Sequence, residues 1–420
     1  MTKEKIAIIG GGISGLSLAL ALSHPDNGFD ITLFEKKKRL GGHSRTLTLK
    51  DSVSKKSVAV DSGFVVFNEK NYPELTKLFG YLDIATQASK MTFCYHHADK
   101  QYNFTSDRFF QDKATLFNLQ HYALLFEIFF FQRLARRTWQ DIDKKLSLQK
   151  WLDQIHASEH LRRRYLYPLG AAIWSMPIGD INQYPARYFA QFFFNHGLFT
   201  VNDQPQWRTI VGGAKIYVEK IKKYISSFGG KIINNDGVME LNKKEKWLIT
   251  TESGNVALYD KVVLACHSDQ ALHILKKTDH PAKQFLTMIK YKSSDVFTHR
   301  RPDYMPNKRS VYACWNFFER HGKTTMSYWM NQLQSLKTSD DFFVTLNPAS
   351  IIKQYDDHTV MQHPQYNLLS GVAQKNIKHL QGVDDIFFCG AYLGYGFHED
   401  GIKSASDILP YFHAKKPWQK

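Results

Sequence analysis

The sequence predicts an α/β fold on three observations. A short apolar run of strand type, Ile6-Ala7-Ile8-Ile9, breaks at Gly10-Gly11-Gly12 and resumes as a helical segment over Leu16–Leu22, the order of a strand, a tight turn and a helix. A second strand, Asp30-Ile31-Thr32-Leu33-Phe34, follows and ends at Glu35. The chain has 420 residues, 43% hydrophobic and 22% charged, which suits two to three folded domains at about 100–200 residues each.

Composition excludes several classes. Cys94, Cys266, Cys314 and Cys389 lie far apart with no C-x-x-C pair and no histidine at ligand spacing. No disulfide framework or zinc finger is expected, no metal site is assigned, and a reducing compartment fits. The net charge of +16, from 55 Lys and Arg against 39 Asp and Glu, raises affinity for any anion without choosing among them. The charges are dispersed and no nucleic-acid motif accompanies them, so nucleic acid is not an expected partner. Lys3 and Lys5 before the uncharged stretch Ile6–Ser23 resemble the start of an export signal. Three adjacent glycines suit a strand–turn–helix better, and a cytoplasmic location is expected. No other stretch reaches the roughly 18 apolar residues of a membrane span.

The glycine turn carries chemistry. In Gly10-x-Gly12-x-x-Gly15, Gly10 permits the tight turn, Gly12 lets a pyrophosphate reach the backbone, and Gly15 lets helix and strand pack closely. Ile13 and Ser14 begin the helix, where free N–H groups meet phosphate. Glu35, twenty residues past Gly15, accepts from an adenosine ribose and repels a 2′-phosphate, so the loop reads as a site for FAD or NAD. Lys36 stands beside it, in a basic run that suits either a phosphate neighbour or a solvated turn.

Beyond Glu35, five residues lead to a Gly41-Gly42 doublet followed by His43 and Ser44. This pattern resembles the FAD signature of the flavin amine oxidase and phytoene desaturase superfamily. Asp61-Ser62-Gly63-Phe64-Val65-Val66-Phe67-Asn68 and Gly396-Phe397-His398-Glu399-Asp400-Gly401 are similar to segments of a bacterial branch of FAD-dependent, amine-oxidase-like proteins. The resemblance implies noncovalent FAD on a Rossmann-type domain built from three separated segments, 1–69, 206–270 and 381–420. An α+β substrate domain would take 70–205 and 271–380. It also implies cofactor contacts at the backbone of Val238, at Gly390 and Ala391, and along Gly396–Asp400. Where the superfamily carries an acidic residue after the glycine of its last strand, this chain has Ala391, and Glu399 or Asp400 is expected to replace it. Arg45 or the basic run is expected to offset phosphate charge. Genes of the branch often accompany cyclopropane-fatty-acid or lipid methyltransferase genes, which implies a methylated fatty acyl substrate.

No nucleophile triad, metal cluster or paired carboxylate stands out, so the hard chemistry is expected from the flavin. Tyr392, Tyr395 and His398 are the catalytic candidates, since they cluster where the C-terminal segment would approach the ring. The superfamily's flavin-side lysine has no assignable counterpart, which weakens an amine as substrate. In Tyr122–Arg137, Leu124, Ile128, Phe131 and Ala135 form a helical stripe, with Leu125, Phe126, Phe129 and Phe130 adding apolar surface. Phe189, Phe192, Phe193, Phe194 and Phe199 form a second cluster. Both suit a helical core, or a face on an anionic membrane with Arg162, Arg163 and Arg164 at the headgroups. The expected function is FAD-dependent oxidation or desaturation of a hydrophobic substrate. The alternatives are a flavin-dependent isomerase and a non-catalytic flavin-binding partner of a lipid-modifying enzyme.

Overall fold

A computed structural model describes residues 3–97, 102–174, 176, 178–199, 204–320 and 323–419. Its organising element is a five-stranded parallel sheet of β1 (Lys5–Ile9), β2 (Asp30–Glu35), β3 (Lys231–Asn234), β4 (Lys261–Leu264) and β5 (Ile386–Phe388), in the order β3-β2-β1-β4-β5. The strands therefore come from three stretches far apart in sequence. The inner strands are apolar on both faces because both are covered, while β3 at the edge leaves Lys231 and Asn234 exposed. Ile6, Ile8, Ile31, Leu33, Val263 and Phe387 pack with the Ile13–Ser23 helix on one side. On the other, Ala7, Ile9, Phe34, Val262, Leu264, Ile386 and Phe388 pack with Trp247, Ile249, Ile274 and Leu286. This alternation is the two-residue period of a strand read from its two sides.

The helix after β1 is buried at every position, which explains why it carries no polar face. Its close approach depends on Gly15, where a Cβ would collide with the Gly10 carbonyl oxygen. Helices outside the three expected cofactor segments share these cores: Leu75, Leu78 and Phe79 of Pro73–Tyr81 on one side, and Ala373 and Ile377 of Leu368–His379 on the other. Thr86–Ser89 also pairs with Trp207–Ile210.

A seven-stranded sheet forms the second body, in the order Asp357–Gln365, Lys290–His299, Phe343–Leu346, Lys323–Trp329, Trp315–Arg320, Phe93–His97, Tyr102–Thr105. All pairs are antiparallel except Trp315–Arg320 with Phe93–His97. Helices between 119 and 195 share its core: Leu124, Ile128, Phe131 and Ala135 are buried there, as are Phe189, Phe192, Phe193 and Phe199. The stripe and most of the second cluster are thus core, whereas Phe126, Phe129, Phe130 and Phe194 are exposed. The expected basic partners at Arg162–Arg164 are engaged internally. Arg162 bonds Asp153, Arg163 pairs with Glu159, and Arg164 lies over the Tyr102 ring. Among the described residues, no helix is long and apolar enough to cross a membrane.

Gly15 and Gly12 are predicted to respond oppositely to a single methyl group. Gly15→Ala forces the helix off β1 and should cost about 1–3 kcal/mol. Gly12, where a Cβ would meet no atom within 4 Å and φ is −79°, should accept alanine within about 0.5 kcal/mol. Urea denaturation of both variants checks this.

Candidate functional site

A cavity of about 1510 Å³ opens at the carboxyl ends of β1 and β2 and continues under the second sheet. In an open parallel sheet that end, beside the central strand, is where ligands bind. Gly10, Gly12, Ile13 and Ser14 line it, whereas Gly15 does not, because it is the contact between helix and strand. The helix starts at Gly12 without a side-chain cap, leaving its positive end for an anion. Glu35 lines the cavity, its carboxylate accepting from the Gly11 and Lys37 N–H groups at 2.8 Å each. Lys36 also lines it and reaches Glu252 at 2.7 Å.

The second glycine loop lies against the first. The Gly41 N–H donates to the Gly11 carbonyl at 2.7 Å, and a Cβ on Gly42 would meet the Gly12 Cα at 3.1 Å. Both residues have positive φ, +103° and +57°, which glycine adopts without strain. Arg39 staples the loop by donating to the carbonyls of Leu40, Gly42 and Ser44. The expectation for Arg45 needs correction: its guanidinium is bidentate on Asp357 at 2.7 and 2.8 Å and also donates to Ser62, so its charge is already matched. Arg39, which the sequence did not single out, is the cavity-lining arginine without an ion pair among the described residues. The His43 ring donates through Nε2 to the Gln362 carbonyl, and the rings of His267 and His363 lie 5.8 and 5.1 Å away. Burial lowers the pKa of His43 and takes His267 and His363 down to about 3, so the group is neutral near pH 7.

At the C-terminal side, Gly390, Ala391, Gly396, Phe397 and His398 line the same cavity, as does Val238 across from them. His398 begins the His398–Ile408 helix. Its Nε2 stands 2.8 Å from the Ser44 hydroxyl, which also bonds the buried Tyr217 hydroxyl, and Phe64 stacks on the ring at 3.8 Å. Burial, with His43 adding to it, lowers His398 to about 3. Ser44 thus sits behind the wall, as a brace rather than a lining residue.

Two expectations at this end are corrected. Glu399 and Asp400 do not line the cavity. Glu399 caps Pro73–Tyr81 by accepting from the Glu74 and Leu75 N–H groups, and Asp400 accepts from the Phe397 N–H of its own helix start. Burial raises them to about 7 and about 6, consistent with carboxyl groups used for capping and away from water. Tyr392, Tyr395 and His398 line the same cavity. The Tyr395 hydroxyl donates to Gln191 at 2.6 Å, and the Tyr392 ring is buried behind Gly390, where a Cβ would meet it at 2.5 Å.

The far part of the cavity is apolar, walled by Phe104, Phe109, Leu125, Ile128, Phe129 and Leu169. One lining residue there gives no signal in the sequence. His196 stacks on Phe192 at 3.8 Å and near Trp207, donates through Nδ1 to the Phe192 carbonyl, and is lowered to about 4 by burial. Its aromatic surroundings are assembled only by the fold.

These residues fit FAD. The open cradle at Gly12 faces an uncapped helix start, a fixed carboxylate closes β2, and the volume exceeds the roughly 300–1,000 Å³ of a single small-ligand pocket, so substrate fits beside a dinucleotide. The family model described as flavin containing amine oxidoreductase matches residues 13–299. No curated protein sequence matches the chain. Among solved structures, cyclohexylamine oxidase from Brevibacterium oxydans IH-35A is similar at TM-score 0.66 and 16% identity, covering 98% of this chain and 100% of that one. Wild-type putrescine oxidase bound to putrescine gives 0.67 and 13%, covering 97% and 99%. The CLA-producing fatty acid isomerase from P. acnes gives 0.66 and 13%, covering 97% and 98%. At such identities the structures speak for the α/β fold, while the family match spans most of the chain and includes the nucleotide helix and the second glycine loop. On that match this chain belongs to the flavin-containing amine oxidoreductases and is an FAD-dependent oxidoreductase.

Proposed function

We propose that the chain oxidises or desaturates a hydrophobic substrate, a fatty acyl chain, methylated or not, of a membrane lipid taken from an anionic surface on the cytoplasmic side. The observation that carries this reading is the length of apolar wall continuous with the nucleotide cradle, from Phe104 and Phe109 to Phe397. In this reading the segments 1–69, 206–270 and 381–420 hold the cofactor, and 70–205 and 271–380 supply the substrate side. When bound, FAD supplies the two-electron oxidation by accepting hydride.

The chain's own residues orient and exclude water. Gly10, Gly12, Ile13 and Ser14 hold the pyrophosphate, Glu35 the ribose, and Gly41, Gly42 and His43 the far side of the phosphates. Val238, Gly390, Ala391, Gly396 and Phe397 close the pocket. His398 is too weak a base at about 3 to take a proton efficiently near neutrality. Its Nε2 is held by the Ser44 hydroxyl, so His398 serves as a neutral, oriented ring in the wall. Tyr392 and Tyr395 shape the pocket beside it.

Gly12→Val should leave the fold intact and abolish FAD retention, read as loss of the visible flavin bands from the purified protein. Anaerobic addition of extracted membrane lipid to the wild type should bleach those bands. Product formed without net redox change would instead mark an isomerase, and lipid binding with neither bleaching nor product a non-catalytic partner. Because His398 titrates only near 3, its protonation contributes no inflection to the limiting bleaching rate between pH 5 and 8. Ser44→Ala, which releases the ring, should slow bleaching on the order of 100-fold across that whole interval, as stopped-flow absorbance would record.

A further inference from the structure

We propose that the outward face of the Leu119–Thr138 helix, with the Phe109–Phe117 stretch before it, is a docking surface for an anionic lipid bilayer, and that it opens the cavity to the acyl layer. The inference rests on the acyl reading above and names the surface that would serve it. A surface helix normally pairs one apolar face with one polar face. This one has two apolar faces. Leu124, Ile128, Phe131 and Ala135 are buried, while Leu119, Phe126, Phe129 and Phe130 on the opposite side are 85%, 66%, 53% and 52% exposed. Positions 119, 122, 126, 130, 133 and 137 recur at helical spacing, so Leu119, Tyr122, Phe126 and Phe130 share one stripe with Arg133 and Arg137 at its end. Phe117, 93% exposed, extends the apolar part past the helix start.

Charge selects the partner. Arg133, Arg136 and Arg137 are exposed and make no ion pair among the described residues. The helix's one acidic residue, Glu127, accepts from Ser158 at 2.7 Å. An apolar stripe running into unpaired arginines matches acyl chains below an anionic headgroup layer. Position links the face to the chemistry, because Phe109 and Phe129 are exposed at the surface and also line the cavity, next to Leu125 and Ile128. The cavity therefore reaches the surface within the apolar patch itself.

The test uses the FAD-loaded full chain in flotation with vesicles of phosphatidylcholine alone or mixed with phosphatidylglycerol. The wild type should float with the mixed vesicles. F126E/F130E should reduce binding at least tenfold, and R133Q/R136Q/R137Q by about fivefold per arginine, with visible flavin spectra unchanged in both. F126W should shift its emission to the blue and be quenched by acyl-brominated lipid on the mixed vesicles. Equal flotation of F126E/F130E and wild type would overturn the proposal, as would absence of binding to mixed vesicles. A wild-type dimer that F126E/F130E splits would assign the face to a second copy and also overturn it. Flavin bleaching by detergent-dispersed lipid is read separately: bleaching without vesicle binding removes only the docking face, and vesicle binding without bleaching keeps the face and removes the acyl substrate.

Discussion

The contact between the Ile13–Ser23 helix and β1 sets the geometry on which the rest depends. Gly15 lies against the Gly10 carbonyl, and this places the helix start directly over the carboxyl end of the central strand. The Gly41-Gly42 loop then rests on Gly11 through the Gly41 N–H, so close to Gly12 that a Cβ on Gly42 would meet its Cα. Ser44, carried by that loop, braces His398 from a segment more than 350 residues away in sequence. The cofactor cradle is thus built in layers, and a side chain at Gly15, Gly11 or Gly41 would push neighbouring atoms apart, whereas one at Gly12 would enter the cavity.

What was legible in the sequence was local. The strand, glycine turn, helix and Glu35 lie within some thirty residues, and each owes its conformation to its own spacing, so they could be read without tertiary context. Partnerships across the chain were not legible. Arg45 looks like a phosphate ligand beside a glycine loop, yet Asp357, 312 residues on, claims it. Glu399 and Asp400 look like cofactor carboxylates next to His398, yet the first caps a helix at Glu74 and the second its own helix start. His196 and Tyr217 were invisible because nothing in their neighbours along the chain foretells the aromatic cage or the Ser44 hydroxyl that gives them meaning. The stripe at 124–135 was legible as a stripe, but its two readings separated only once each face had a neighbour or lacked one.

That helix shows how one element meets two solvents. Its inner face joins the core of the second sheet, so the helix is fixed before the outer face is considered. The outer phenylalanines add nothing to that core and are costly in water, at about 25 cal/mol for each Å² of apolar surface left exposed. A contiguous exposed patch of this kind calls for an explanation through contact. Its coincidence with the cavity mouth supplies one without requiring any change in the fold.

The ionisable groups inside the protein follow the same logic of dryness. Burial takes His267, His363 and His398 to about 3 and His196 and His299 to about 4. Each of these five binds a proton in the unfolded chain below about 6.5 that the native state refuses. Their effect is that stability is greatest above that value and falls as the pH drops through the window toward 4 and 3. Asp61, Glu399 and Asp400 act oppositely. Raised by burial to about 7, 7 and 6, they hold protons the unfolded chain has released, so their contribution is full at acid pH and lost as the pH rises through 6 to 7. Near pH 5 five histidines lack a proton where three carboxyls keep one, so the histidines prevail and acid destabilises. Well above 7 the histidines are neutral in both states and only the carboxyls differ, so stability turns down again. These eight groups therefore favour the fold most close to neutrality, where the buried histidines are uncharged and Asp61 and Glu399 are about half protonated.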